Sequence, residues 1–226
     1  MVHDNSSWTS HDAFRKAIWI AVDIQQRFWY IKRFIPIHVI KAYRYMWIVD
    51  DDAHPIFNPR HYECVTDYYN ISLSSPIYAG DIQGVHQITR LVPATASRIG
   101  RWTDFVEIGP VVVGQTDAWQ CLWNVLSPAV GLGYGLDNIW CKYLSFHCMQ
   151  QTTFGNVCAI LDIFGSYHDS PSGMTSGWSG GQEMPAYNAH YQKYSSQITT
   201  IGPIANDLSV YNSSMLHDSI MPLVMQ

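Results

Sequence analysis

The residues best suited to chemistry are acidic and come in two places. Asp50, Asp51 and Asp52 follow one another directly after the apolar run 45–49. Three adjacent carboxylates repel one another unless a cation or solvent neutralises them. Asp50 and Asp52, two residues apart, can both reach one hard divalent ion, manganese or magnesium, which prefers carboxylate oxygens and takes its other ligands from water and substrate phosphates. The same triplet also fits a solvated turn or a helix-capping cluster. His168 follows another apolar run, 158–164. If the two runs are neighbouring strands, its imidazole could join the carboxylates on one ion, although a lone histidine among ten also fits a surface or satisfied core position. Asp137 ends the glycine-rich segment GLGYGLD, residues 131–137. Gly133 and Gly135 permit close backbone approach to a ligand, and Asp137 there could serve as a general base toward a hydroxyl. A tight turn with a dipole-compensating acid is the plainer alternative. The segment lacks the G-x-G-x-x-G spacing of a dinucleotide site.

Aromatic and acidic residues also combine at Trp102, Asp104 and Glu107, on the strand expected before Gly109-Pro110. A ring that stacks on sugar C–H faces beside carboxylates that accept hydroxyl protons suits a carbohydrate; an edge strand with a core tryptophan suits the pattern equally. Lys32 and Arg33 could meet a diphosphate or form a solvated helix face.

The elements that position these residues are legible from hydrophobic runs. Residues 17–22, 45–49 and 158–164 are short, apolar and rich in β-branched side chains, the pattern of buried strands. Residues 25–34 read as a helix, and Pro36 opens a second helical turn. Asn58 caps a helix with Pro59 at its first position. Residues 71–84 read as loop and short strand. Thr116 caps an amphipathic helix whose Trp119, Leu122, Trp123 and Leu126 face the core, and residues 136–146 form another helix. Strands alternating with helices predict an α/β fold with a mostly parallel central sheet. One catalytic domain is expected over residues 1–169. Residues 170–181 are Ser/Gly-rich, and 170–226 are expected to form an extension of uncertain structure.

Composition narrows the classes further. The 226 residues are 47% apolar and 14% charged, with a net charge of −5. No basic stripe is present, which disfavours nucleic-acid binding, and no apolar run approaches the roughly 20 residues of a membrane span. The five cysteines, 64, 121, 141, 148 and 158, contain no CxxC pair. Small buried thiols are the leading expectation, with one or two bridges left open. Sequons begin at Asn5, Asn70 and Asn212.

Taken in order, the blocks QQRFWYIKRF, AYRYMWIVDDDA, FVEIGPVVVG with DAWQCLW, GLGYGLDNIWC and CAILDIFGSYH resemble the domain of unknown function 707 family, over about residues 15–170. That family is grouped with GT-A nucleotide-sugar glycosyltransferases. The resemblance implies a GT-A-like fold and a metal-dependent transfer of sugar from a nucleotide-sugar donor to a glycan or other hydroxyl acceptor. Asp50, Asp52 and His168 would hold manganese or magnesium. Asp51, Lys32, Gly133 and Gly135 would face the donor, and Asp137 would be the base. Trp102, Asp104 and Glu107 would line the acceptor side. In this fold a first strand and loop hold the nucleotide base, and Met1, Val2, His3 and Asp4 resemble only its tail, so a truncated first strand is expected. A full-length form with an N-terminal anchor would work in the Golgi lumen. Two other readings stand beside this one: a non-catalytic carbohydrate-binding or scaffolding module on a degenerate GT-A fold, and a metal-dependent phosphoesterase. A two-metal hydrolase needs more ligands than these.

Overall fold

The computed structural model describes residues 10, 12–17, 27–50, 52–79, 86–90, 92, 98–126, 131, 133–168 and 183–205. The expected first strand at 17–22 lies outside them beyond Ala17, as do Met1–Asp4, Asp51, the Ser/Gly-rich segment, and the sequons at Asn5 and Asn212.

In chain order the elements are α1 (Asp12–Lys16), α2 (Arg27–Phe34), α3 (Ile37–Ile40), β1 (Tyr45–Val49), β2 (Ala53–Pro55), α4 (Pro59–Tyr68), β3 (Leu73–Tyr78), β4 (Arg98–Thr103), β5 (Val111–Gln115), α5 (Thr116–Leu122), α6 (Trp140–Tyr143), β6 (Cys158–His168), α7 (Glu183–Tyr191) and β7 (Thr200–Ala205). Helix α4 starts where its sequence says: Asn58 accepts from the Arg60 N–H at 2.9 Å, and Pro59 occupies the first turn. Thr116 behaves differently from expectation. It is the first helical residue of α5, and its hydroxyl donates to the Tyr43 carbonyl rather than capping the helix. The apolar stripe of α5 is core as expected, with Trp119 and Leu122 fully buried.

The fold is α/β, with a seven-stranded sheet in the order β1-β5-β3-β6-β4-β7 and β2 paired to β6. The sheet is mixed, which corrects the mostly parallel expectation: β3 and β6 pair in parallel, and every other pairing of these strands is antiparallel. Residues 104–110 carry the chain back along the sheet without a helix, from Thr103, opposite the first residue of β6, to Val111, opposite the last residue of β1. Strands β4 and β5 therefore run the same way, and each is placed beside strands of the opposite direction, which makes the sheet mixed.

Side chains of successive residues leave opposite faces of a strand, and the sheet accordingly separates two cores. Val112 joins Trp119, Leu122, Leu136, Trp140 and Leu144 on one side, while Val111 and Val113 join Tyr62, Val65, Leu161 and Phe164 on the other. Strand β3, expected only as loop and short strand, is central and buried at every position. Strand β1 is less buried than its apolar run suggests, with Val49 44% exposed. Residues 183–205 are built into the same sheet and core: β7 pairs with β4, and Tyr187 and Tyr194 enter the α5–α6 core.

Disulfides join Cys121 to Cys148 and Cys141 to Cys158. This corrects the expectation of buried thiols. Cys121 and Cys148 were separated by 27 residues in sequence, and only the packing of α5 against the turn after α6 brings them together. Cys64, exposed on α4, stands outside both bridges. No described helix is long and apolar enough to cross a membrane.

Candidate functional site

The carboxyl ends of β1 and β3 and the amino end of β5 meet at one edge of the sheet, and acidic side chains collect there. Asp50 leaves β1, and its N–H donates to the Pro110 carbonyl at 2.9 Å. Its carboxylate forms an ion pair with Arg27, the first residue of α2, the two side chains being 29% and 16% exposed. Gly109, joined to Pro110 by a cis peptide, packs directly on this pair. A Cβ at Gly109 would lie 2.8 Å from Arg27 Nη2 and 2.8 Å from Asp50 Oδ2, so a side chain there would push the ion pair aside. Tyr78, the last residue of β3, is fully buried. Its hydroxyl donates to the Val111 carbonyl and accepts from the Val111 N–H, both at 3.1 Å. Burial pushes its pKa well up, and Glu107 and Asp50 push it the same way.

Glu107 lies on the 104–110 connection rather than on a strand, as does Asp104; β4 ends at Thr103. Glu107 is buried and accepts from the Thr89 hydroxyl at 2.8 Å and from the backbone N–H of His86. It also meets His86 Nδ1 at 3.1 Å. This bond is the main reason the His86 pKa is raised; burial opposes it. Asp137 completes the group. It is 9% exposed, and its carboxylate accepts from the Asn138 N–H at 3.0 Å. Burial first, and the Glu107 charge second, push its pKa up to about 6, against the pull of His86. Glu107, His86 and Asp137 thus form one electrostatically coupled group, with a carboxyl poised to exchange a proton near neutral pH.

The loop that carries Asp137 is held from both sides. Gly131 accepts from the Phe28 N–H at 2.9 Å through its carbonyl. Its own N–H and that of Tyr134 donate to the Glu183 carboxylate at 2.8 and 2.9 Å. Gly133 has φ +80°, and a Cβ there would sit 2.6 Å from the Phe28 ring. Gly135 packs on Met184. The close approach that these glycines permit is therefore made by α2 and α7.

Other expected site residues are placed elsewhere. Lys32 donates to the Trp123 carbonyl at 2.7 Å and lies 4.7 Å over the Trp123 ring, with its pKa lowered by burial. Trp102 is half-buried and packs on the α4-side core. Asp104 accepts from the N–H groups of Gln197 and Thr199, both at 2.7 Å, and lies 3.5 Å from Lys142 Nζ. Trp102, Asp104 and Glu107 are thus not one surface.

Asp52 and His168 are brought together by β2, not by adjacent long strands: Ala53, the residue after Asp52, is paired with His168 in the sheet. Carboxylates and an imidazole are donors that manganese and magnesium accept, and this register sets two of the three expected ligands side by side along the backbone. Asp51 lies outside the described residues, and of His168 only the backbone is described. Among the described residues no group of three or more His, Cys, Asp or Glu side chains is arranged to hold a metal.

Sequence reasoning missed Arg27, His86, Tyr78 and Glu183. Arg27 stood in the same basic-aromatic block as Lys32 and was the signal within reach; a helix starting at residue 27 puts it one turn before Lys32, toward the acidic end. No curated protein and no solved structure matches the chain. The model of the family described as protein of unknown function, DUF707, matches residues 3–181, most of the chain, and the chain belongs to that family.

Proposed function

We propose that this protein is a glycosyltransferase that moves a sugar from a nucleotide-sugar donor to a hydroxyl acceptor, on a GT-A-type fold. The observation that carries the reading is the buried Asp137, whose proton affinity is raised to near neutrality beside Glu107 and His86, at the same sheet edge as the Asp50–Asp52 turn. Asp137 takes the proton of the acceptor hydroxyl. That oxygen attacks the anomeric carbon, the bond from this carbon to the diphosphate oxygen breaks, and the nucleoside diphosphate leaves. A manganese or magnesium ion held by Asp50, Asp52 and His168 would supply charge neutralisation at the leaving diphosphate. The charges of Glu107 and His86 tune the proton affinity of the base. The two disulfides support a lumenal setting, since such bridges persist in oxidising compartments, and this agrees with action in the Golgi.

The test is release of nucleoside diphosphate from a panel of nucleotide sugars, with and without manganese and simple glycan acceptors. The expected result is metal-dependent release from one donor class, lost in Asp137→Asn. A folded chain that releases none, yet binds glycans with or without metal, would instead be a non-catalytic carbohydrate-binding module. The Arg27–Asp50 ion pair is the observation that favours this second reading.

A further inference from the structure

The acidic end of the sheet holds the carboxylates of Asp50, Glu107 and Asp137, and a diphosphate arriving there brings more negative charge. It must meet cations. Lys32 is turned to Trp123, as described above. Arg27 is turned the other way: its guanidinium pairs with Asp50 beneath Gly109. Among the described residues its buried Nε has no hydrogen-bond partner, so one donor of the fork is unused there. Asp50 is also a residue expected to ligate metal, and a carboxylate oxygen shared with a guanidinium is a poorer metal ligand.

We propose that Arg27 is a diphosphate-binding residue and that the Arg27–Asp50 pair is a counter-ion exchange. Without donor, Arg27 neutralises Asp50. When metal and nucleotide arrive together, Asp50 turns to the metal and Arg27 turns its planar fork to the phosphate oxygens, a geometry that arginine matches with two parallel hydrogen bonds. The ion pair then explains how an acidic site with no described metal cluster accepts an anionic donor: its own cation is stored on the acid that the metal will claim. The inference rests on the nucleotide-sugar reading above and adds a residue to it.

The test is calorimetric titration of wild type, Arg27→Gln and Arg27→Lys with UDP and with GDP, each with manganese, and with manganese alone. Thermal melts establish that each variant is folded. Wild type is expected to bind one nucleotide in the presence of manganese. Arg27→Gln should bind it roughly ten- to hundredfold more weakly, the usual cost of losing a charged hydrogen-bond donor. Arg27→Lys, which keeps the charge but not the fork, should fall between. Manganese alone should bind Arg27→Gln several-fold more tightly than wild type, because its competitor for Asp50 is gone. Equal nucleotide affinity in wild type and Arg27→Gln overturns the role of Arg27 and leaves the nucleotide reading intact. Weaker nucleotide binding with unchanged manganese affinity overturns the exchange. If Arg27→Gln does not fold, Arg27→Lys decides: wild-type affinity in that variant overturns the role. No nucleotide binding by folded wild type overturns both the reading and this inference.

Discussion

Asp104 and Asp137 are both buried aspartates, 3% and 9% exposed, on segments that flank the same sheet. Around Asp104 the chain supplies donors: two backbone N–H groups at 2.7 Å and the Lys142 ammonium at 3.5 Å. Asp137 receives the Asn138 N–H and faces a second carboxylate, and its proton affinity rises to about 6. A buried charge whose partners are present fastens structure; one that is under-compensated costs stability and is free to react. Asp104 ties the 195–199 segment to the end of β4, whereas Asp137 is the under-compensated acid, the one the proposed transfer uses.

The comparison can be broken at several points. Asp137→Asn has the largest expected effect. Sugar transfer should fall by a factor on the order of 100 to 10,000, the usual share of a general base, in a rate assay at saturating donor. Stability should move the other way. The folded-state pKa of Asp137 is raised, so the folded protein holds this proton more tightly than the unfolded chain. Its contribution is fully favourable below about pH 4, declines as pH rises to about 6, and is constant above. The amide removes that slope and is expected to raise stability at pH 7 by roughly 1–3 kcal/mol, read from urea unfolding at pH 4.5 and 7.5.

Asp104→Ala should do the reverse, lowering stability by about 3 kcal/mol, because Lys142 and two buried N–H groups lose their acceptor. Urea unfolding against wild type measures it, and nucleotide affinity in the surviving folded protein should be unchanged. Gly133→Ala forces a side chain into a positive-φ position against the Phe28 ring. A loss of about 1–2 kcal/mol is expected, with transfer reduced further because the loop that carries Asp137 must shift. The smallest effect is Glu107→Gln. With the neighbouring charge gone, Asp137 ionises at lower pH, and the acid limb of the pH–rate profile should move to lower pH. An unmoved limb would separate Glu107 from the base.

Much of this was written in local sequence. The Asn58-Pro59 start of α4, the strand runs at 45–49 and 158–164, and the apolar stripe from Trp119 on α5 to Leu126 just after it depend on neighbours in the chain, and their positions were legible. The mixed sheet was not. It depends on which strands β4 and β5 lie beside, a tertiary choice, and FVEIGPV, which leads from one to the other, carries neither a helix pattern nor a hairpin turn pair to announce it. The same holds for the site. Asp50 and Asp137 stood out by type and by position after a strand or a glycine loop. Arg27 and His86 become site residues only through the approach of α2 to β1 and of the 86–89 turn to Glu107, which are tertiary contacts. Glu183 and β7 lay beyond a Ser/Gly-rich stretch where the hydrophobic period is lost, and the two disulfides join residues whose spacing follows no motif.

Hydrogen–deuterium exchange of the whole chain, with UDP or GDP and manganese against manganese alone, tests the central claim most directly. The account predicts that one nucleotide slows exchange in residues 105–111 and 131–140, around Glu107 and Asp137, while residues 195–199, tied to Asp104, keep their rate. Protection confined to the Asp104 end, or no protection by either nucleotide in a folded protein, would contradict a nucleotide-sugar site at the carboxyl ends of β1 and β3.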